Sequence, residues 1–209
     1  MVKIENKLKI LKQLQSSFEK NVFIDSNIDN ILKEEKIEVS KFYYLFPDKT
    51  KSLCLFFFEN LENQAKNNIK KNIKLEKSIS KRVKYLLIEF FNLLNKEKST
   101  SIFFLNFLTT KPFLLKKISL NHSNKVWFSL GDKSVDFNFY TKRFILSQIL
   151  INSLIHWRGS ENLEKTIDFI NHQIIALGKF GYYKSLIKSL LTDLSKNECL
   201  TKLDFLHKN

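Results

Sequence analysis

The side chains that most often carry chemistry are sparse in this 209-residue chain. Its four histidines, His122, His156, His172 and His207, form no HxxE, HxxxH or comparable ligand pair. Cys54 and Cys199 are too far apart to read as a metal or redox motif, and the simplest setting for them is a reducing compartment. With four glycines in all, there is no glycine-rich loop to cradle a phosphate. Asp132 and Asp136, four residues apart, could share a helix-entry face and act as paired carboxylates. Acid–base work also needs a pocket and a reaction to serve, so capping is the stronger reading for both. The expectation is a protein without catalytic residues, metal or cofactor.

One stretch combines polar and aromatic side chains densely enough to recognise a partner. It runs Trp127-Phe128-Ser129-Leu130-Gly131-Asp132-Lys133-Ser134-Val135-Asp136-Phe137-Asn138-Phe139-Tyr140-Thr141-Lys142-Arg143. Gly131 permits a backbone conformation that side chains resist. Ser134 can cap the N–H groups that follow, and Asp136 falls in a first helical turn, where the helix dipole favours negative charge. Spacing alone predicts a helix start with an aromatic and polar surface.

The whole string resembles the lipid-binding accessory proteins of coenzyme Q (ubiquinone) biosynthesis. Their signature places a Trp before Ala/Leu-Gly-Asp and Ser-Thr-Asp-Phe-Asn-Trp-Tyr-Thr-Lys/Arg-Arg. Here Val135 replaces the usual Thr and Phe139 the usual Trp. The likeness is strongest from Val126 to Arg143 and extends more weakly to about Ile174. Leu163-Glu164-Lys165-Thr166-Ile167-Asp168-Phe169 stands there for Phe-Glu-Asp-Thr-Trp-Arg-Phe, with Ile167 replacing a Trp. The resemblance implies a docking patch for a di-iron hydroxylase at Asp136, Phe139, Tyr140, Lys142 and Arg143. It also implies an apolar pocket for an isoprenoid lipid or phospholipid, with Phe103, Phe107, Trp127, Phe128 and Phe144 as lipid-binding candidates.

The elements that must position these residues are helices. The chain is 44% hydrophobic with 20 Phe, and its long apolar-periodic runs carry little turn chemistry. Residues 3 to 20 read as a first helix, with Ile4, Leu8, Leu11, Leu14 and Phe18 at helical spacing. A short helix follows Asp25-Ser26 and runs through Glu35. Another covers Val39 to Leu45 and stops at Pro47, and a long one starts at Asp48. Residues 79 to 95 form the next helix, Glu97 to Ser101 a polar break, and Pro112 opens a further helix. Ser134 to Trp157 is apolar almost all round, which predicts burial on most sides. Residues 161 to 177 supply a partner helix with Leu163, Ile167, Ile170, Ile174 and Leu177 at core spacing. After Gly178 and Gly181, a last helix over 182–196 gathers Tyr183, Leu186, Ile187, Leu190, Leu191 and Leu194 on one face. Glycines before a lysine-edged amphipathic helix fit an element that lies on a membrane, and the coenzyme Q family carries one.

The order of the first helices resembles TetR-type regulators, most clearly at Phe42-Tyr43-Tyr44-Leu45-Phe46-Pro47-Asp48-Lys49. Lys36 occupies the turn position where glycine is usual. The expected fold is all-α and TetR-like. A helix-turn-helix bundle at 1–50 precedes a larger lipid-binding and dimerisation bundle at 51–180, followed by an amphipathic helix and tail at 181–209. TetR-like folds commonly pair their last two long helices across a dimer axis, so a homodimer is expected.

The net charge of +14 raises the question of nucleic acid. Between Val22 and Thr50, however, Lys33, Lys36, Lys41 and Lys49 face six acids, leaving −2 and no arginine. DNA affinity rests on neutralising phosphates, and arginine is the usual fork on guanine. The helix pair therefore reads as a structural relic more than a DNA reader. The basic residues crowd instead at Lys66, Lys70, Lys71, Lys74, Lys77, Lys81, Arg82 and Lys84, a solvated face that could also attract anionic lipid headgroups.

Met1 to Lys12 alternates charge with apolar residues, unlike a secretory leader, and the first arginine is Arg82, unlike a mitochondrial presequence. The expected location is the bacterial cytoplasm, peripheral on the inner face of the inner membrane. The expected role is to take up an isoprenoid quinone precursor at the membrane and present it to the hydroxylase. The competing readings are a ligand-responsive transcription regulator and a structural adaptor without lipid.

Overall fold

The computed structural model describes residues 2–20, 23 and 25–176, with backbone only for 2, 71, 72 and 136–138. Among them the ordered structure is helical and contains no strand, as the composition predicts. The chain divides into two compact units, Met1–Ile170 and Asn171–Asn209. The terminal helix expected over 182–196, with its membrane-contact residues, lies outside the described residues.

The first predicted helix is present as α1 (Val2–Gln13) and α2 (Gln15–Glu19). Only Leu14 separates them, and the ladder nearly runs through it, since Leu14 N–H donates to Ile10 O at 3.0 Å and Phe18 N–H to Leu14 O at 3.1 Å. A 3-10 turn at Asp25–Asn27 leads into α3 (Ile28–Glu34), and α4 spans Val39–Leu45. Lys36 has φ 53° in the connection between α3 and α4. It accepts the left-handed conformation that glycine would take at less cost. Ile37 N–H then donates to Leu32 O at 2.7 Å and closes the turn. The long helix α5 spans Lys49–Asn68. Its start is tied to the 3-10 turn by Asp25, which accepts from the Thr50 amide at 3.3 Å and from the Thr50 hydroxyl.

Next come α6 (Lys70–Leu75), α7 (Ile79–Lys96), α8 (Lys98–Thr109), α9 (Pro112–Ser129) and α10 (Asp136–Ser160). The polar stretch Glu97 to Ser101 is not a break, because Glu97 alone leaves the helices. Polar letters misled here because their hydroxyls are served locally. Ser101 Oγ donates to Leu94 O at 2.8 Å, and Thr100 and Ser101 are buried. Pro112 opens α9 as expected, at a position where a missing N–H costs nothing. Glu161 ends α10 in the left-handed region at φ 48°, and Asn162 Oδ1 then accepts from Lys165 N–H at 3.0 Å, opening the helical stretch that starts at residue 163. In that stretch Thr166 and Ile170 are the buried positions, while Leu163 and Ile167 are only half-buried.

The principal pairings set α9 along α10, α5 along α7 and α2 along α8. Phe18 of α2 stacks on Phe103 of α8 with ring centroids 4.8 Å apart, and Phe104 meets Phe57 of α5 at 5.1 Å. Each such buried ring contributes about 1.5–3 kcal/mol. The inner face of α10 buries Leu146, Ile149, Leu150, Leu154 and Trp157. Its outer face departs from the expected all-round burial, with Tyr140, Phe144 and Ile155 exposed by 71%, 53% and 59%. Within one chain nothing among the described residues covers that apolar stripe.

Candidate functional site

The link from α9 to α10 is built around Gly131 and Asp132. Gly131 adopts φ 73°, as its sequence position predicts, and closes α9 by a paired backbone motif. Its own N–H donates to Phe128 O at 3.1 Å, and Asp132 N–H reaches back to Trp127 O, also at 3.1 Å. This turn aims the Asp132 carboxylate at the next helix. Its oxygens accept from Ser134 Oγ at 2.6 Å, Lys142 Nζ at 2.8 Å and Arg143 Nη1 at 3.1 Å. Burial alone would raise the Asp132 pKa, but these hydrogen bonds outweigh it and hold the carboxyl well below its ordinary range.

Two sequence expectations are corrected here. Ser134 does not cap α10, because its hydroxyl is turned back to Asp132; the extended residue before the helix is Val135, which provides no side-chain cap. Asp132 is not a cap either, since its carboxylate is the anchor of an ion-paired hub.

The hub locks α10 onto α9. Arg143 is 8% exposed. It donates through Nε to Asn124 Oδ1 at 2.8 Å and through Nη1 to Phe139 O at 3.0 Å, while its guanidinium carbon lies 3.4 Å from the Phe139 ring centroid. Ser123 Oγ donates to Arg143 O at 2.7 Å, and Trp127 Nε1 to Lys142 O at 3.1 Å. The Lys142 ammonium sits 5.2 Å from the Trp127 ring centroid.

Of the five docking residues expected from sequence, Tyr140 stands free, packed edge-on against a half-buried Phe139 at 5.2 Å. Lys142 and Arg143 are engaged in the hub, and the side chain of Asp136 lies outside the described residues. The five lipid-binding candidates do not line one cavity. Phe103 is sealed in the aromatic cluster with Phe18 and Phe104, Phe107 is half-buried beneath Lys111, and Trp127 belongs to the hub. Phe128 and Phe144 are exposed.

A second polar centre was not visible from spacing. Between α5, α7 and α9 lies a cavity of about 110 Å³, walled by Ala65, Leu86, Val126 and Phe128, by the polar trio Glu62, His122 and Lys125, and by Asn63, Lys66 and Ser129. Glu62 Oε1 lies 3.1 Å from His122 Nδ1, and Glu62 Oε2 accepts from Lys125 Nζ at 2.9 Å. Burial pushes the Glu62 carboxyl up, but His122 and Lys125 more than compensate and hold it below its usual value. Lys125, also bonded to Glu59 at 3.1 Å, is pulled down by its own burial and raised overall by the two carboxylates. His122 and Glu62 come from helices 60 residues apart in sequence, so no local pattern pairs them. No group of three or more His, Cys, Asp or Glu among the described residues is placed to hold a metal ion. No described helix is long and apolar enough to cross a membrane.

The braced α9–α10 pair, in an all-helical body, lies in a segment similar to the accessory proteins of ubiquinone biosynthesis. The matching family model is COQ9, over residues 114–181, from the first turn of α9 through α10 and beyond. No curated protein matches the chain.

Proposed function

We propose that this chain is a non-catalytic, TetR-like lipid-binding protein that presents isoprenoid quinone precursors to the ubiquinone-pathway hydroxylase. The observation that carries this reading is the hub at Asp132, which fixes the entrance of α10 inside the COQ9-matched segment and presents Tyr140 from it. An exposed aromatic on a rigid base is an economical interface anchor, because little side-chain freedom remains to be lost. Phe139, Lys142 and Arg143 then act by holding that base in place. Tyr140→Ala is expected to weaken capture of the hydroxylase at least tenfold with unchanged helical circular dichroism. Undiminished capture by this variant would remove Tyr140 from the interface.

Further along α10, the exposed Phe144 and Ile155 also support a homodimer through that helix. Membrane contact is assigned to residues 182–196, assisted by the basic α6–α7 region, where Leu75 is 84% exposed among lysines. Removal of residues 182–209 is expected to reduce co-sedimentation with anionic vesicles by more than half. Equal sedimentation would dismiss the terminal helix as the anchor.

The regulator reading draws on the α3–α4 pair and its left-handed Lys36. Its acidic surface weighs against phosphate binding, and Tyr43 is held by Asp29 at 2.8 Å. A mobility-shift assay with genomic DNA fragments tests it, and a specific shift would favour it over lipid presentation.

A further inference from the structure

We infer that the end of the helical body formed by the α6–α7 link and the last turn of α9 is a docking surface for an anionic bilayer. It engages the membrane in its own right, independently of residues 182–209. The inference deepens the membrane role proposed above and rests on it for the choice of a bilayer as partner.

Residues 66–84 carry eight bases and one acid, so eight minus one leaves +7. Lys66, Lys70, Lys74, Lys77 and Lys81 are all exposed. The acid, Glu76, is folded back into the link, where it accepts from the Ser78 amide at 2.8 Å and faces Lys81 Nζ at 3.7 Å. Arg82 Nε donates to the Glu76 carbonyl, and Ser78 Oγ caps α7 by accepting from Lys81 N–H at 3.5 Å. Further along α7, Glu89 is engaged by Asn68 at 2.8 Å and Asn92 at 3.2 Å. The link is thereby held in shape while its lysines stay in water.

A solvated basic face alone would not carry large apolar side chains, and this one does. Leu75 and Ile79 are 84% and 52% exposed among the lysines. The last turn of α9 reaches the same end, because Lys125 of α9 bonds Glu59 and Glu62 of α5. Beyond it Phe128, 79% exposed, lines one cavity with Lys66 of α5. The acid of the turn that follows, Asp132, is taken up by the hub. Bases around protruding apolar tips match a bilayer, whose phosphates meet the ammonium groups while its acyl region receives the tips. Lysine stems extend that apolar contact with their heads in water. Nucleic acid fits less well. It offers no apolar interior to Leu75 or Ile79, and Arg82 is already bonded to Glu76.

The test uses the full chain carrying Cys199→Ser, so that an environment-sensitive fluorophore attaches only at an introduced cysteine, Cys54 being buried. Labels are placed through Leu75→Cys, Phe128→Cys and, as a control, Phe113→Cys. Phe113 is 88% exposed at the other end of α9, about 22 Å along the helix axis and beyond a Debye length of about 8 Å. Vesicles of phosphatidylcholine with about one-third phosphatidylglycerol are expected to shift the labels at 75 and 128 to the blue and leave the label at 113 unchanged. Reversing charge by Lys70→Glu, Lys74→Glu and Lys77→Glu together is expected to weaken vesicle binding at least tenfold. The same reversal at Lys111, Lys116 and Lys117 changes net charge equally and is expected to leave binding within about twofold. All six lysines are exposed, so both variants should keep the helical circular dichroism of the unmodified chain. No vesicle binding, or an unshifted label at 75 on chains that co-sediment, would overturn the surface; the second result would keep the terminal helix as anchor. Equal losses from the two reversals would overturn it too, since net charge alone would then drive binding. A label at 75 that responds to duplex DNA and not to vesicles would assign the patch to nucleic acid instead. A shifted label on a chain that captures no hydroxylase keeps this inference and loses the proposed function.

Discussion

Replacing Asp132 with alanine is expected to lower the thermal midpoint by about 6–12 °C, the equivalent of about 3 kcal/mol in a chain of this size. The substitution leaves the guanidinium of Arg143, which is 8% exposed, without its carboxylate partner. Removing one member of a buried ion pair is costly because the other member stays desolvated. The figure sits at the low end of such losses because Lys142 is 39% exposed on its side chain and can turn to water. The effect has a defined pH signature. The folded-state pKa of Asp132 is depressed, so its contribution is fully present above the ordinary aspartate value of about 3.9 and is lost as the pH falls through the range below it. Thermal melts of the unmodified chain and Asp132→Ala should therefore differ most near neutrality and converge in acid. A midpoint change under 2 °C at pH 7 would show that the hub does not brace the helix pair.

The largest single loss is expected from Phe104→Ala, about 4 kcal/mol, read as a shift in the urea midpoint. Phe104 is fully buried, with Phe18, Phe57 and Phe103 at ring distances of 5.2, 5.1 and 5.2 Å. These neighbours come from α2, α5 and α8, so the void opens where three elements meet and no single side chain can close it. Phe107→Ala on the same helix serves as the control, since that ring is only half-buried. A loss no greater than the control's would mean that the aromatic cluster relaxes around the void.

Long apolar-periodic runs made the helices legible, and Pro112 and Gly131 marked their bounds because each is restricted or permissive in a way that no neighbour changes. Lys36 was placed only by the turn position it shares with the glycine of TetR-type regulators, and Glu161 was harder to place, since left-handed backbone at a charged residue has no local sequence mark. Ser134 was misassigned for a related reason. A serine before a helix can turn its hydroxyl towards the helix or back towards the preceding loop, and the choice was made by an Asp132 carboxylate whose aim depends on the Gly131 turn. The docking string was readable as a string, but the division of labour within it was not. Arg143 and Tyr140 are equally plausible interface residues until α9 is laid beside them and Asn124 and Asp132 claim the guanidinium. The His122–Glu62 pair lay beyond any local pattern, because it exists only once α5 and α9 have packed.

The hub also bears on the order in which the molecule assembles. Its bonds join residues close in sequence, 10 apart for Lys142 and Asp132 and 20 apart for Ser123 and Arg143. The bonds that Lys125 makes to α5 span 63 and 66 positions. Closing a loop costs about 0.6 kcal/mol for each doubling of its length, so the α9–α10 hairpin closes with an entropic advantage of about 1 kcal/mol over the cavity trio. Rates of chain collapse favour such local pairings. The surface that presents Tyr140 is thus encoded within a single hairpin, whose closure costs less chain entropy than that of the contacts between α5 and α9.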